Sequence, residues 1–112
     1  MMKLLKTLRL ADILQVSAFF IFFTTISCAG PKPIEEMVLA KVALDAAKES
    51  GAVSFAAGYW YRAEENYRKG ENAIKSNYNY DAKEFFVQAK IYAEKAENST
   101  RLKKFKSGEG YP

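Results

Sequence analysis

Histidine is absent from the 112 residues, and cysteine occurs once. The first absence removes the commonest general base and the commonest metal ligand near neutral pH. The second excludes an intramolecular disulfide and a cysteine-built zinc site. A strong basic bias is missing too. Seventeen Lys and Arg stand against 13 Asp and Glu, a net charge of +4, well short of the basic footprint of a duplex-binding domain. No stretch longer than a few residues alternates apolar and polar side chains, so strands are not expected. There is no nucleophile–base pattern, no Gly-rich phosphate loop and no metal-ligand spacing. Glu35/Glu36 and Glu64/Glu65 are neighbours in sequence, but adjacent helix positions diverge by about 100°, so neither pair forms a carboxylate dyad. The expectation is a chain that is not an enzyme and uses no cofactor, no metal and no nucleic acid.

Long apolar runs are scarce as well, with one exception. Lys3, Lys6 and Arg9 precede a mostly apolar stretch over residues 13–26. Its 14 residues suit the core of an export signal and fall short of the roughly 20 that a membrane-spanning helix needs. Thr25-Ile26-Ser27-Cys28-Ala29-Gly30 follows. This segment resembles the lipobox of bacterial lipoproteins, with Thr25 where Leu is usual and Ile26 in place of a small residue. The resemblance implies diacylglycerol on Cys28, cleavage by signal peptidase II between Ser27 and Cys28, and acylation of the new amine by a chain such as palmitate. Ala29 is not the Asp that retains many such proteins at the inner membrane. The resemblance therefore points to the outer membrane, with the rest of the chain in the periplasm. Two or three acyl chains on one residue anchor a protein stably, whereas one holds weakly. Two alternatives stay open: an uncleaved single-span anchor over residues 10–26, and a signal cut elsewhere by the ordinary peptidase.

Beyond Cys28 the composition changes twice. Gly30, Pro31 and Pro33 make residues 28–33 an extended tether. Alanine-rich helical periodicity then begins. Met37, Ala40, Leu44 and Ala47 recur at 3–4 spacing, with Val38, Val42 and Ala43 widening the stripe. Gly51 is placed as a left-handed residue closing that helix. Ala56, Trp60, Ala63, Tyr67, Gly70 and Ile74 form a second, heptad-like seam that alternates small and large residues. Gly58 marks either a kink or the start of this helix. Asp81 with Glu84 reads as a capping box opening a third helix, whose seam is Ala82, Phe86, Ala89, Ala93 and Ala96. The predicted fold is all-α: a signal or anchor helix, then a small antiparallel bundle of three helices over about 33–50, 55–76 and 81–105. The predicted organisation is a signal peptide over 1–27, a tether over 28–33, an alanine-rich helical domain over 34–106 and a disordered tail over 107–112.

Trp60, Ala63 and Tyr67, followed by Ala82, Phe86 and Ala89, resemble the two helices of a tetratricopeptide unit. The second set falls about six residues later than that 34-residue repeat allows. The run of Pro, alanine-rich helix, Gly51-Ala52 break, helix with Ala63 and Tyr67, polar turn, and last helix with Ala82, Ala89, Ala93 and Ala96 is similar to an uncharacterised family of alanine-rich bacterial lipoproteins. The likeness covers about residues 31–100. It implies envelope location and a helical fold, and no activity.

Two candidate surfaces remain. Tyr59, Trp60 and Tyr61 spread over about 200° of a helix and cannot all enter one seam. With Tyr67, Tyr78 and Tyr80 they either form an aromatic docking patch, as Tyr and Trp do at interface hot spots, or complete a thin core. Arg101, Lys103, Lys104 and Lys106 either contact an anionic surface, such as lipid head groups, or are a solvated helix end. The expected partners are the membrane through the Cys28 lipid and an envelope protein of unknown identity. The expected role is a helical interaction module. The alternatives are a structural lipoprotein that self-associates into a homo-oligomer and the single-span anchored protein.

Overall fold

The computed structural model describes residues 2–23 and 30–108. The chain divides into two units, Met1–Gly30 and Pro31–Pro112. The first contains one 22-residue helix, α1 (Met2–Phe23). Ser27 and Cys28 lie outside the described residues. Among the described residues every regular element is a helix, and none is long and apolar enough to cross a membrane.

The second unit holds α2 (Ile34–Ser50), α3 (Ala52–Phe55), α4 (Ala57–Lys75) and α5 (Asn79–Ser107). Buried Pro33 precedes α2, and its carbonyl accepts the Met37 N–H at 3.1 Å. Glu35 and Glu36 occupy the first turn, where carboxylates suit the helix dipole. Glu36 is held below its ordinary pKa by its own backbone N–H and by Lys83, which approaches to 3.1 Å. Gly51 closes α2 at φ 95°, its N–H reaching the carbonyls of Ala47 and Lys48, as expected for a left-handed C′ residue.

The second helix of the sequence reading is interrupted. Ala56 adopts φ −139° and ψ 46°, outside the helical region, and separates the four-residue α3 from α4. The described residues of the unit therefore form three long helices and a short one. Ala56 stays buried through the break, so the predicted seam continues across it.

The start of the last helix also differs from expectation. Asn77 takes a positive φ of 59°. The Tyr78 N–H donates to the Ala73 carbonyl at 2.9 Å, and the Asn77 N–H to that of Ile74 at 3.0 Å. These two bonds form a Schellman closure, which delivers the chain into α5 at Asn79. The Ala82 N–H then reaches the Tyr78 carbonyl at 2.9 Å. Asp81 consequently lies inside the first turn of α5, and Tyr78, with no side-chain cap bond, takes the capping position. α5 runs 29 residues to Ser107 and is closed by Gly108 at φ 75°. It passes the expected end near 105, and residues 109–112 of the expected tail lie outside the described residues.

α5 is the central element. One cluster joins Ala40 and Met37 of α2, Ala73 and Ile74 of α4, and Ala82, Phe86 and Ala89 of α5. A second joins Leu44 and Ala47, Ala52, Ala56 and Ala63, and Ala93 and Ala96. Consecutive long helices are thus antiparallel, and α2 runs parallel to α5. One pole of the unit holds the start of α2 with the α4–α5 turn. The other holds the Gly51 turn, α3 and the later part of α5. Ala82, Phe86, Ala89, Ala93 and Ala96 are all fully buried. Val38 and Val42, read as part of the packed stripe, are instead 50% and 60% exposed. The inward face of α2 is filled by Ala40, Leu44 and Ala47, and Val38 and Val42 turn past the width that α5 covers.

Candidate functional site

α2 and α4 both pack mainly on α5 and touch each other little. A groove of about 360 Å³ runs between them, lined by Lys41, Leu44, Asp45 and Lys48 of α2 and by Trp60, Tyr61, Glu64, Tyr67 and Arg68 of α4. Its position follows from helix geometry. Positions 41, 45 and 48 lie one step round from the buried 40, 44 and 47, and positions 60, 64 and 68 flank the buried Ala63 in the same way.

The side chains there are of two kinds. Leu44 is buried, Trp60 and Tyr67 are half-buried, and Tyr61 is exposed. Trp60 packs against the cluster around Ala63, whereas Tyr67 touches both clusters. Tyr67 meets the Phe86 ring edge-on, with centroids 5.3 Å apart. Burial raises the Tyr67 pKa, and Glu71 adds to the effect; the phenol stays neutral and serves as a wall. Lys41 pairs with Asp45 at 3.0 Å, which raises the lysine pKa. The groove thus presents an aromatic floor between mixed charged rims. Its stacking area comes from Trp60, Tyr61 and Tyr67, and its rims carry Lys41, Asp45, Lys48, Glu64 and Arg68.

The six candidate aromatics do not share one surface. Trp60, Tyr61 and Tyr67 line the groove. Tyr59 lies in a second hollow with Phe55, Arg62, Ser99 and Lys103. Tyr78 and Tyr80 are exposed at the opposite pole, in and after the α4–α5 turn. The α2 side of the groove was missed in the sequence because Lys41, Asp45 and Lys48 carry only the pattern of a wet helix face. The available signal was a second stripe, Ile34, Val38 and Val42 at i, i+4 and i+8, which leaves α2 apolar on more than its packed face.

The basic candidates are divided as well. The Lys104 Nζ donates to the Ser50 carbonyl and the Lys103 Nζ to the Phe55 carbonyl. Both acceptors are carbonyls at helix C-termini, which lack intrahelical partners. Lys104 also stands over the Phe55 ring, 5.4 Å from its centroid. Arg101 pairs with Glu97 one turn back, and Lys106 is exposed. Two of the four bases therefore clamp the Gly51 turn and α3 onto α5. Lys104→Met should lower the unfolding free energy by about 1.5–3 kcal/mol, the range for a hydrogen bond to a charged group. Lys106→Met should stay within about 0.5 kcal/mol. Urea titrations of the two variants check this, and equal effects would remove the clamp from the account.

No curated protein and no solved structure matches this chain. One family does match, over residues 35–107, from the first turn of α2 to the end of α5. It takes in the groove, the alanine seams and the lysine clamp together, and the chain belongs to this family, described as a domain of unknown function (DUF4398).

Proposed function

We propose that the protein is a lipid-anchored interaction module of the bacterial cell envelope, tethered through Cys28 and docking a partner protein in the α2–α4 groove. The observation that carries the docking role is the groove itself, where Trp60, Tyr61 and Tyr67 stand beside Leu44 between charged rims. Large rigid aromatics in a concave, partly desolvated strip are the residues that dominate binding energy at protein interfaces. A partner helix laid there would complete a four-helix arrangement around α5. The lipobox likeness of residues 25–28 supports anchoring, and Ala29 supports the outer membrane with the helical unit in the periplasm.

Two experiments test the two halves of this reading. Cys28→Ala should abolish incorporation of labelled palmitate and leave an uncleaved precursor; normal cleavage and release of the variant would refute the anchor. A photo-crosslinking residue at position 61 should give one discrete adduct in intact cells. The same residue at position 95, on the far side of α5, should give none. Indistinguishable adduct patterns at the two positions would refute docking in the groove. A second reading is self-association into a structural lipoprotein. It is favoured by the exposed stripe of Ile34, Val38 and Val42 on α2, and an adduct at position 61 with the mass of two copies would select it.

A further inference from the structure

The two poles of the helical unit differ in chemistry, and the tether joins only one of them. Ile34 opens α2, and Cys28 precedes it by six residues. Even fully extended, six residues span only about 20 Å. The α4–α5 turn lies at this same pole, as the Glu36–Lys83 ion pair and the Ala40–Ala73–Ala82–Phe86 cluster require. Three large side chains point outward there: Ile34 is 51% exposed, Tyr78 65% and Tyr80 74%. The Schellman closure at Asn77 and the entry into α5 at Asn79 fix the backbone on either side of Tyr78, so the two tyrosines are held out by rigid structure. Tyrosine is an interfacial residue, apolar along its ring and polar at its tip, and it concentrates at the head-group level of membranes.

Charge does not account for this pole. Lys32, Lys75 and Lys83 stand there against Glu35, Glu36, Asp81 and Glu84, three bases against four acids, so no basic excess draws this pole to anionic head groups. The net basic end is the opposite one. Lys103 lies 21 residues along α5 from Ala82, about 30 Å at helical rise. A weak aromatic contact suffices beside a tether, because a short linker holds the two surfaces at millimolar effective concentration.

We infer that Ile34, Tyr78 and Tyr80 form a foot that seats on the phospholipid head-group layer holding the Cys28 lipid. This rests on the anchor proposed above. The domain then stands on its tether, with α5 leading away from the membrane. The groove between α2 and α4 runs along the side of this column and stays open to a protein partner. The Lys103–Lys106 end faces away from the bilayer that holds the lipid, so the contact between these bases and lipid head groups that the sequence suggested is not made with that membrane.

The test uses the full chain purified from bacterial membranes and reconstituted in phosphatidylethanolamine–phosphatidylglycerol vesicles that contain a lipid with a photoreactive head group. Mass spectrometry of the N-terminal peptide first reports whether Cys28 is acylated. If it is not, the anchor reading falls, and the foot with it. If it is acylated, photolysis should label peptides covering residues 76–83 several-fold more than those covering 99–108, and 1 M salt should leave the ratio unchanged. Equal labelling, or labelling concentrated on residues 99–108, overturns the foot and leaves the anchor standing. So does a signal at 76–83 that salt removes, because it would be electrostatic. A protein–protein crosslink at Tyr80 that disappears on dilution in lipid would place a second copy on this pole and also overturn the proposal. As an independent measurement, Tyr80→Trp in a Trp60→Phe background should be quenched by bromine-labelled lipid, whereas Leu102→Trp in the same background should not. Helical circular dichroism of both variants confirms that they are folded.

Discussion

Phe86→Ala should lower the unfolding free energy by about 3–5 kcal/mol, the range for truncating a buried phenylalanine. Among the described residues, ten of the twelve buried hydrophobic side chains are alanines; the exceptions are Leu44 and Phe86. Among the described residues, too, Phe86 and Thr100 are the largest fully buried side chains. The ring sits between Gly70, Tyr67 and the alanines of one cluster. Removing it leaves a void bordered by Gly70 and by alanines, which are too small to reach into it, so only the partly buried rim, Tyr67 among it, could move in. Small domains have about 5–15 kcal/mol of total stability, and less at this size. The variant should therefore be largely unfolded near its growth temperature. Urea unfolding followed by helical circular dichroism gives the number. A loss below about 1 kcal/mol would mean that the cluster around Phe86 is not packed as described. Leu44→Ala, at the second cluster, should cost less than Phe86→Ala because Leu44 is smaller and sits at the edge of the groove.

The alanine content explains both what the sequence revealed and what it concealed. The α5 seam was legible because Ala82, Phe86, Ala89, Ala93 and Ala96 recur at helical spacing on one face, and that face meets α2 and α4 along its length. Gly51 was legible because a helix end needing positive φ selects glycine at little steric cost. Val38 and Val42 were misplaced because apolar type alone does not say how wide a strip the neighbours cover. In a bundle joined through alanines the helices lie close and the covered strip is narrow. The start of α5 was misplaced because Asn77 closes α4 by backbone bonds, which leaves no capping position for Asp81. The roles of Lys103 and Lys104 were not legible, and the two were left as a surface contact or a solvated helix end, because their acceptors lie 48 and 54 residues away, across the bundle. Of the candidate aromatics, exposure of Tyr59 or Tyr61 was legible, since three consecutive ring-bearing residues cannot share one face, and both are exposed. Their division among a groove, a hollow and a pole was not legible, because it depends on where α2 and α5 lie.

Gly70→Ala should destabilise the protein by about 2 kcal/mol, although alanine is the better helix former by about 1 kcal/mol. A methyl group on Gly70 would stand 2.7, 2.8 and 2.9 Å from three atoms of the Phe86 ring. These distances are well inside contact, and the ring is fully buried with Tyr67 against it, so it has no room to retreat. Overpacking of this kind typically costs about 1–3 kcal/mol, occasionally more, through shifted rotamers and backbone. Gly58→Ala is the control on the same helix. A methyl group there meets nothing within 4 Å, so that change should be neutral or stabilise by up to about 1 kcal/mol. Opposite signs for one chemical change at two glycines of α4 would separate helix propensity from packing. The cause at Gly70 is checked by a double-mutant cycle. Phe86→Leu destabilises alone, but it removes the ring atoms that the new methyl group strikes. Gly70→Ala should therefore cost less in the Phe86→Leu background than in the native protein, with a coupling of about 1 kcal/mol, within the range for residues in contact. Additive effects would show that the glycine serves α4 for some reason other than the close approach of α5. If the coupling is found, the small–large alternation along α4 acquires a definite meaning: each small residue sets how near α5 can lie, and α2 and α4, each held to α5 in this way, leave the groove between them open.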